Sequence, residues 1–174
     1  MKTVTFVTVT FPLGDLKAKS VFERVYVAGK PSFIFETIHE SGKVDPISVI
    51  GVNPIETLRV NEDKFIIQSE QGVERVVGNP LLKLKEYLQS FEKKAGHYLG
   101  SPAVGVFGYL GYDSIRYLET IPLPARGSSL DDDACVFIFR NYFVINSVAN
   151  TICLATLILS KGDKSVSKAE IQKA

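Results

Sequence analysis

The chain has 174 residues, of which 45% are hydrophobic and 22% charged, and its formal net charge at pH 7 is +1. This length suits one domain with a buried core, and charges of both signs spread along the chain give no field that would steer nucleic acid. Because the N-terminus alternates threonine with valine or phenylalanine and builds no continuous apolar run, we expect no signal peptide, no membrane partner and a cytoplasmic protein.

The first third of the chain predicts a strand, a helix and two more short strands. Residues 3–11 alternate with a period of two and are rich in β-branched side chains, which predicts a strand. Residues 15–27 carry apolar residues at helical spacing behind an aspartate that could cap the helix. Residues 32–38 and 47–52 are short apolar runs typical of strands, and Pro54 is expected to end the second.

The middle of the chain predicts an antiparallel meander followed by a helix. Residues 56–60, 64–69 and 73–77 are short strand-like runs separated by tight turns. Asn79 is a helix cap with Pro80 at the first helical position, and Gly96 is expected to close the helix. Four apolar residues form one stripe along it: Leu81, Leu84, Leu88 and Phe91.

A glycine repeat, GVFGYLGYD, begins at Gly105 and places Gly108 and Gly111 at every third position. This spacing matches neither the dinucleotide fingerprint nor the nucleotide-binding loop, and no Lys-Ser/Thr pair follows it. We therefore expect structural glycines that permit close backbone approach or positive φ. Tyr112 follows, and on a short helix Asp113 and Arg116 are spaced to form an ion pair.

Three aspartates, residues 131–133, precede two long apolar runs that predict a hairpin over 134–147 and 151–160. Adjacent carboxylates point in different directions, so we interpret the aspartates as a solvated strand entrance and not as a cation site. The turn near residues 148–150 would place Val144 opposite Cys153, which argues against a disulfide with Cys135.

The residues that usually carry catalysis or bind a metal are missing from the pattern. The sequence contains no nucleophile elbow, metalloprotease motif or phosphate loop, and His39 and His97 stand alone. We therefore predict no catalytic residue, no metal ligand and no cofactor in this chain. Composition and pattern alone indicate an α+β domain with a largely antiparallel sheet.

Five segments in order give the chain a family resemblance: FIFETI from Phe33, SVIGVNP from Ser48, NPLLKLKEYL from Asn79, GVFGYLGYDSIRYLE from Gly105 and DDACVFIFRNYFVIN from Asp132. Together they resemble the N-terminal domain of the large component (component I) of anthranilate synthase and of aminodeoxychorismate synthase. The resemblance implies an α+β fold over residues 1–160, with a largely antiparallel, β-sandwich-like half flanked by helices.

The resemblance also implies that chemistry takes place outside this chain. Residues 161–174 read as a polar linker and the start of a helix, with a capping box at Ser167 and Glu170, leading to a chorismate-binding domain that is absent here. That domain would hold Mg²⁺ and chorismate and receive ammonia from a glutamine amidotransferase partner. The chain itself is not expected to be catalytic alone.

In anthranilate synthases, the matching N-terminal domain contributes to a tryptophan feedback site, and the resemblance places it at Phe35, Glu36, Thr37 and Ser48. Glu36 could accept an ammonium group and Thr37 could donate to a carboxylate, although Glu36 could equally pair with a neighbouring base and Thr37 could be an ordinary strand residue. Thr37 stands where the family has serine, and Pro46-Ile47 replaces a basic and an aromatic residue. The aminodeoxychorismate branch, and a stand-alone ligand-binding module, therefore stay open.

Overall fold

The computed structural model describes residues 2–37, 46–61, 64–93, 105–120 and 132–161. The strands within this part are β1 (Lys2–Pro12), β2 (Phe33–Glu36), β3 (Ile47–Asn61), β4 (Lys64–Ser69), β5 (Gly72–Val77), β6 (Phe91–Lys93), β7 (Val106–Leu110), β8 (Ala134–Asn146) and β9 (Thr151–Lys161). The helices are α1 (Ala18–Val25), α2 (Pro80–Gln89) and a 3₁₀ helix (Tyr112–Tyr117). Registered strand pairs are antiparallel except β1 with β6, so the predicted α+β class with a largely antiparallel sheet is confirmed.

The chain divides into two compact units, and strands β3 and β8 contribute to both. The first unit comprises residues 1–54, 91–105 and 139–174. In it β9 lies between β8 and β1, and β2 pairs with the first part of β3. One apolar cluster packs α1 against the strands, because its buried members come from both: Leu13, Ala18, Val21, Ile50, Val52 and Ile145.

The predicted C-terminal hairpin is confirmed, including its register. Val144 lies opposite Cys153, and Cys135 and Cys153 are both free thiols. The turn is closed by Asn150, which adopts a positive φ of 53° and accepts a hydrogen bond from the Leu13 N–H at 2.9 Å. The hairpin is thereby fastened to the end of β1.

Helix α1 is shorter than the predicted span of residues 15–27. It begins at Ala18, and Lys17 occupies the N-cap position without a side-chain hydrogen bond. Asp15 is not the cap, because Gly14 turns the chain with φ +60° and leaves Asp15 in that turn. Burial of Ala18 and Val21 holds the helix without a cap.

The predicted break at Pro54 is wrong, since β3 runs without interruption from Ile47 to Asn61. Asn53 adopts a left-handed φ of 59° directly before the proline. Such a local irregularity is where a strand tolerates a proline that has no N–H to donate. The Asn53 amide also donates to the Asn141 side-chain oxygen at 2.9 Å, which fixes this position.

The second unit comprises residues 55–90 and 106–138. The predicted meander is present as β3, β4 and β5 in antiparallel order. Four of its side chains are almost completely buried: Leu58, Val60, Phe65 and Ile67. The predicted cap of α2 is also confirmed, because the Asn79 side-chain oxygen accepts a hydrogen bond from the Leu82 N–H at 3.1 Å and Pro80 opens the helix.

Helix α2 ends at Gln89, earlier than the predicted Gly96, which lies outside the described residues. The Ser90 N–H still bonds to the Glu86 carbonyl, and the Ser90 hydroxyl donates to the Tyr87 carbonyl at 2.6 Å. Phe91 therefore does not belong to the helical stripe. It begins β6, whose backbone pairs with β1 in parallel. The pairing ends the helix before the glycine is reached.

Candidate functional site

Strands β2 and β3 bring the predicted site residues to one antiparallel pair. Glu36 lies opposite Ser48, and Phe35 lies opposite Val49. Because successive side chains of a strand point to opposite faces, Glu36 and Ser48 share one face and Phe35 lies on the other. Ile34 belongs to the Glu36 face, and the α1 cluster covers that same face further along at Ile50.

Glu36 and Ser48 form a direct contact. The Ser48 hydroxyl, which is buried, donates to the Glu36 Oε1 at 3.0 Å. The Glu36 side chain is exposed, so its carboxylate is held at the surface by a buried donor. A carboxylate positioned in this way can accept hydrogen bonds from a primary ammonium group. Among the described residues, the recorded partner of Glu36 is Ser48 and not a neighbouring base.

Thr37 lies beside this pair but uses its hydroxyl on the main chain. Its Oγ1 donates to the Ile47 carbonyl at 3.1 Å and accepts from the Ile47 N–H at 2.9 Å. The Thr37 N–H donates to the same carbonyl at 2.9 Å. Three hydrogen bonds thus fasten the end of β2 to the beginning of β3. Thr37 positions the strand ends that carry Glu36 and Ser48.

The opposite face of the pair is aromatic. Phe33 covers Gly51 so closely that a Cβ on the glycine would stand 2.0 Å from the ring. Phe33 also packs on Phe139, with ring centroids 5.2 Å apart. Phe35 belongs to this face and is 53% exposed. An apolar side chain of a ligand has a contact surface here, on the other side of the strand from Glu36.

A buried tyrosine stands behind this aromatic face. Tyr142 packs edge-on against Phe139, with centroids 6.3 Å apart, and against Phe6 at 6.4 Å. Burial raises the pKa of Tyr142 to about 12, and a backbone hydrogen bond from Phe139 opposes that rise in part. The phenol therefore stays protonated as a donor, and it donates to the Gly105 carbonyl at 2.7 Å.

The three repeated glycines have different surroundings. A Cβ on Gly108 would stand 2.0 Å from the Cys135 carbonyl oxygen, so β7 reaches β8 only with glycine at that point. A Cβ on Gly111 would also be close to its surroundings, at 3.0 Å from the Asp133 carbonyl oxygen, which accepts a hydrogen bond from the Gly111 N–H. Gly105 has no neighbour within 4 Å of its Cβ position, so close approach does not explain it. None of the three adopts the expected positive φ.

The segment after the glycines is a 3₁₀ helix with an internal ion pair. Arg116 approaches the Asp113 carboxylate at 3.4 Å, and its Nε donates to the Asp113 carbonyl at 3.0 Å, as the spacing predicts. The Ser114 hydroxyl donates to the Gly111 carbonyl at 2.6 Å. Tyr112 is almost entirely exposed. Local hydrogen bonds therefore stabilise the backbone of the 3₁₀ helix, while the Tyr112 ring faces solvent.

Of the two aspartates before β8 that the structure describes, Asp133 is buried and Asp132 is half-buried and ion-paired, so their interpretation as a solvated strand entrance is wrong. Asp132 accepts from Arg59 Nε at 2.6 Å, from Arg59 Nη2 at 3.1 Å and from Asn61 at 3.0 Å. Asp133 is 5% exposed, and its carboxylate accepts a hydrogen bond from the Tyr117 hydroxyl. The Asp132 carboxylate, as the main partner of Arg59, raises the pKa of that guanidinium. Asp131 lies outside the described residues.

Across the described ranges, no group of three or more His, Cys, Asp and Glu side chains is placed to hold a metal ion. None of the described helices is long and apolar enough to cross a membrane. His39 and His97 lie outside the described residues.

The fold of this chain is similar to that of a solved enzyme structure. A crystal structure of anthranilate synthase component I from Streptococcus pneumoniae TIGR4 matches 94% of this chain and 34% of that chain, with a TM-score of 0.54 and 21% sequence identity. The chain thus has the fold found in part of a component I enzyme. No family model matches the sequence.

Sequence relatives identify the family. Anthranilate synthase component 1 of Acetivibrio thermocellus is 30% identical over 128 residues, which cover 72% of this chain and 25% of that protein. The chloroplastic anthranilate synthase alpha subunit 2 of Oryza sativa subsp. japonica is 28% identical over 110 residues, which cover 59% and 18%. The chain belongs to the anthranilate synthase component I family, and it spans about a quarter or less of the length of these relatives.

Proposed function

We propose that this chain is the N-terminal regulatory and structural part of an anthranilate synthase large component. Such a component converts chorismate and ammonia to anthranilate in tryptophan biosynthesis. The proposal is supported by relatives that are named as anthranilate synthase components and by a fold match over 94% of the chain. The proposal places the chain in the cytoplasm.

The regulatory part of the proposal is a site for L-tryptophan at β2 and β3. The single observation that carries it is the hydrogen bond from the buried Ser48 hydroxyl to the exposed Glu36 carboxylate. Glu36 would accept the ligand's ammonium group, and Thr37 would hold the strand ends in place through Ile47. Phe35 supplies exposed aromatic surface on the opposite face of β2, which an apolar side chain of the ligand would reach around the edge of the strand.

The structural part of the proposal concerns the partners. Catalysis would belong to a chorismate-binding domain with its Mg²⁺, and ammonia would come from a glutamine amidotransferase component. This chain would contribute no catalytic residue, and it would carry the effector site and a surface for the catalytic part. Its match to a quarter of the Acetivibrio thermocellus relative agrees with such a division of roles.

The test joins this chain to the remaining part of the Acetivibrio thermocellus component 1 and supplies chorismate, ammonia and Mg²⁺. The proposal predicts anthranilate as the product and inhibition by L-tryptophan. Formation of aminodeoxychorismate would assign the chain to the folate-precursor branch instead. If the fusion forms anthranilate but L-tryptophan does not inhibit it, the regulatory part of the proposal is contradicted and the structural part still stands.

A further inference from the structure

Strand β1 has an outer edge that is open over most of its length. On one side β1 pairs with β9 along its whole length, and on the other side β6 reaches only Lys2–Val4. Among the described residues, no strand therefore covers the outer edge of residues 5–12. The end of this stretch is also exposed, since Val9 is 49% exposed and Phe11 is 53% exposed. An uncovered strand edge offers N–H and C=O groups that can pair with a further strand.

The hydrogen bonding of β1 shows which backbone groups face the open edge. The Leu13 N–H donates to the Asn150 carbonyl at 2.9 Å, directly beyond the last registered pair, Pro12 with Thr151. Residues along an antiparallel strand alternate between facing one neighbour and facing the other, so the odd-numbered residues of β1 face β9. Pro12 falls on the open side, which is where a sheet tolerates a residue without an N–H. Three further residues direct their N–H and C=O groups to the open edge: Phe6, Thr8 and Thr10.

The open edge of β1 lacks the features that usually keep strand edges from pairing. Residues 5–11 read TFVTVTF and contain neither a charged residue nor a proline. By contrast, the edge strand β5 carries Glu74 and Arg75 in its middle. Charged side chains and proline on an edge strand oppose pairing with another chain. The sequence of β1 therefore favours pairing where the sequence of β5 opposes it.

We propose that a second copy of this chain pairs with β1 along this edge, with the two β1 strands antiparallel about a two-fold axis at Thr8. A two-fold axis perpendicular to the sheet keeps corresponding side chains on the same face, so odd-numbered residues lie opposite odd-numbered ones. Residues 5–11 are the stretch between the β6 contact and Pro12, and Thr8 is their midpoint. Centring the axis there pairs the whole open stretch and leaves the proline out.

This register is self-complementary, which is why a second copy is the occupant. β-Branched and aromatic residues form favourable pairs across antiparallel strands, and no like charges meet because the stretch has none. The outward-facing residues become hydrogen-bonded pairs, each of which exchanges two N–H···O bonds. The register opposes the following residues: Thr8 and its own copy, Val7 and Val9, Phe6 and Thr10, and Thr5 and Phe11.

Sedimentation velocity of the full 174-residue chain over a range of concentrations measures the association. Thr8→Lys places two ammonium groups opposite each other at the two-fold axis and should weaken the dimer at least about tenfold. Thr8→Glu should do the same, whereas an equal mixture of the two variants should recover a heterodimer because opposite charges then meet at the axis. Val73→Lys is the matched control, since Val73 is a 51% exposed strand residue of β5.

Hydrogen exchange followed by NMR on the wild-type chain tests the same pairing without a substitution. The amide protons of Phe6, Thr8 and Thr10 should exchange at least about tenfold more slowly when the chain is concentrated enough to associate. The Val7 and Val9 amides face β9, so they should be protected at every concentration. If a Thr8 variant fails to fold, the exchange of the wild-type amides decides the question.

The proposal is supported by a dimer that both Thr8 variants weaken, that their mixture restores and that Val73→Lys leaves unchanged. A chain that stays monomeric up to about 1 mM would overturn it. It is also overturned if folded Thr8 variants dimerise like the wild type, or if the three outward-facing amides exchange at one rate at all concentrations. None of these outcomes bears on the proposed function, which the product of the fused enzyme tests.

Discussion

Tyr142 donates a hydrogen bond to the carbonyl oxygen of Gly105 at 2.7 Å, and it does so from a fully buried position. Its phenol oxygen also accepts from the Phe139 N–H at 3.2 Å. One side chain therefore satisfies an acceptor and a donor of the main chain where β8 and the start of the glycine repeat meet. The backbone at Gly105 is therefore held by its carbonyl group, and the absence of a side chain there is not required by close packing.

Stability should fall at alkaline pH because of this tyrosine. Burial raises the pKa of Tyr142 to about 12, whereas an unfolded tyrosine titrates near pH 10. Between these values the unfolded chain loses the proton and the folded chain keeps it, so the free energy of unfolding decreases by about 2 kcal/mol as pH rises. Below pH 10 the contribution is constant. Urea unfolding from pH 8 to 12 measures it.

Two substitutions separate Tyr142 from other causes of alkaline unfolding. Tyr142→Phe should reduce the decline between pH 10 and 12 by about 2 kcal/mol, at a cost of about 1–3 kcal/mol at pH 7 from the two lost hydrogen bonds. The exposed Tyr112→Phe serves as the control and should leave the curve unchanged. Burial and a hydrogen bond with Glu56 raise the pKa of Tyr87 more strongly than that of Tyr142, so a decline of at least similar size should persist in Tyr142→Phe. An identical curve for Tyr142→Phe would disprove the assignment.

The glycine repeat offers a matched pair of substitutions. Gly108→Ala should destabilise the protein by about 3 kcal/mol, because the new methyl would stand 2.0 Å from the Cys135 carbonyl oxygen. Gly105→Ala should change stability by less than about 1 kcal/mol, since nothing lies within 4 Å of that position. Thermal and urea unfolding compare the two. Equal stabilities would mean that β7 does not approach β8 as closely as described.

Asn79 should contribute through two different atoms. Its side-chain oxygen caps α2 at Leu82, and its amide donates to the Tyr117 carbonyl. Asn79→Ala removes both bonds and should cost about 2 kcal/mol in unfolding free energy. Asn79→Asp keeps the capping oxygen and removes only the donor, so it should cost about half as much. If Asp proves as costly as Ala, the cap is not the larger contribution.

Local signals in the sequence predicted most elements, whereas contacts between distant segments could not be read from it. The alternation in β1 and the Asn79-Pro80 start of α2 depend on neighbours along the chain, so composition and spacing reveal them. Arg59 and Asp132 are 73 residues apart, and nothing in either neighbourhood indicates the ion pair that buries the aspartate. The early end of α2 depends likewise on β6 pairing with β1.

The candidate site likewise combines residues that the sequence predicts with a contact that it does not. Strand pattern and family resemblance together selected Glu36 and Ser48, and the register places them opposite each other. The role of Thr37 was not predicted, because its hydroxyl bonds both backbone groups of Ile47, a contact set by the strand pairing. A threonine at the end of one strand facing the start of another is too common a pattern to signal such a contact.

The most direct test of the account is isothermal titration of L-tryptophan into the 174-residue chain, alone and joined to the remainder of the Acetivibrio thermocellus component 1. The account predicts saturable one-to-one binding, weakened at least tenfold by Glu36→Gln. Glu74→Gln, which alters another exposed strand glutamate, should leave the affinity unchanged. Absence of binding up to about 1 mM tryptophan, or equal affinities for the Glu36→Gln and wild-type proteins, would contradict the account.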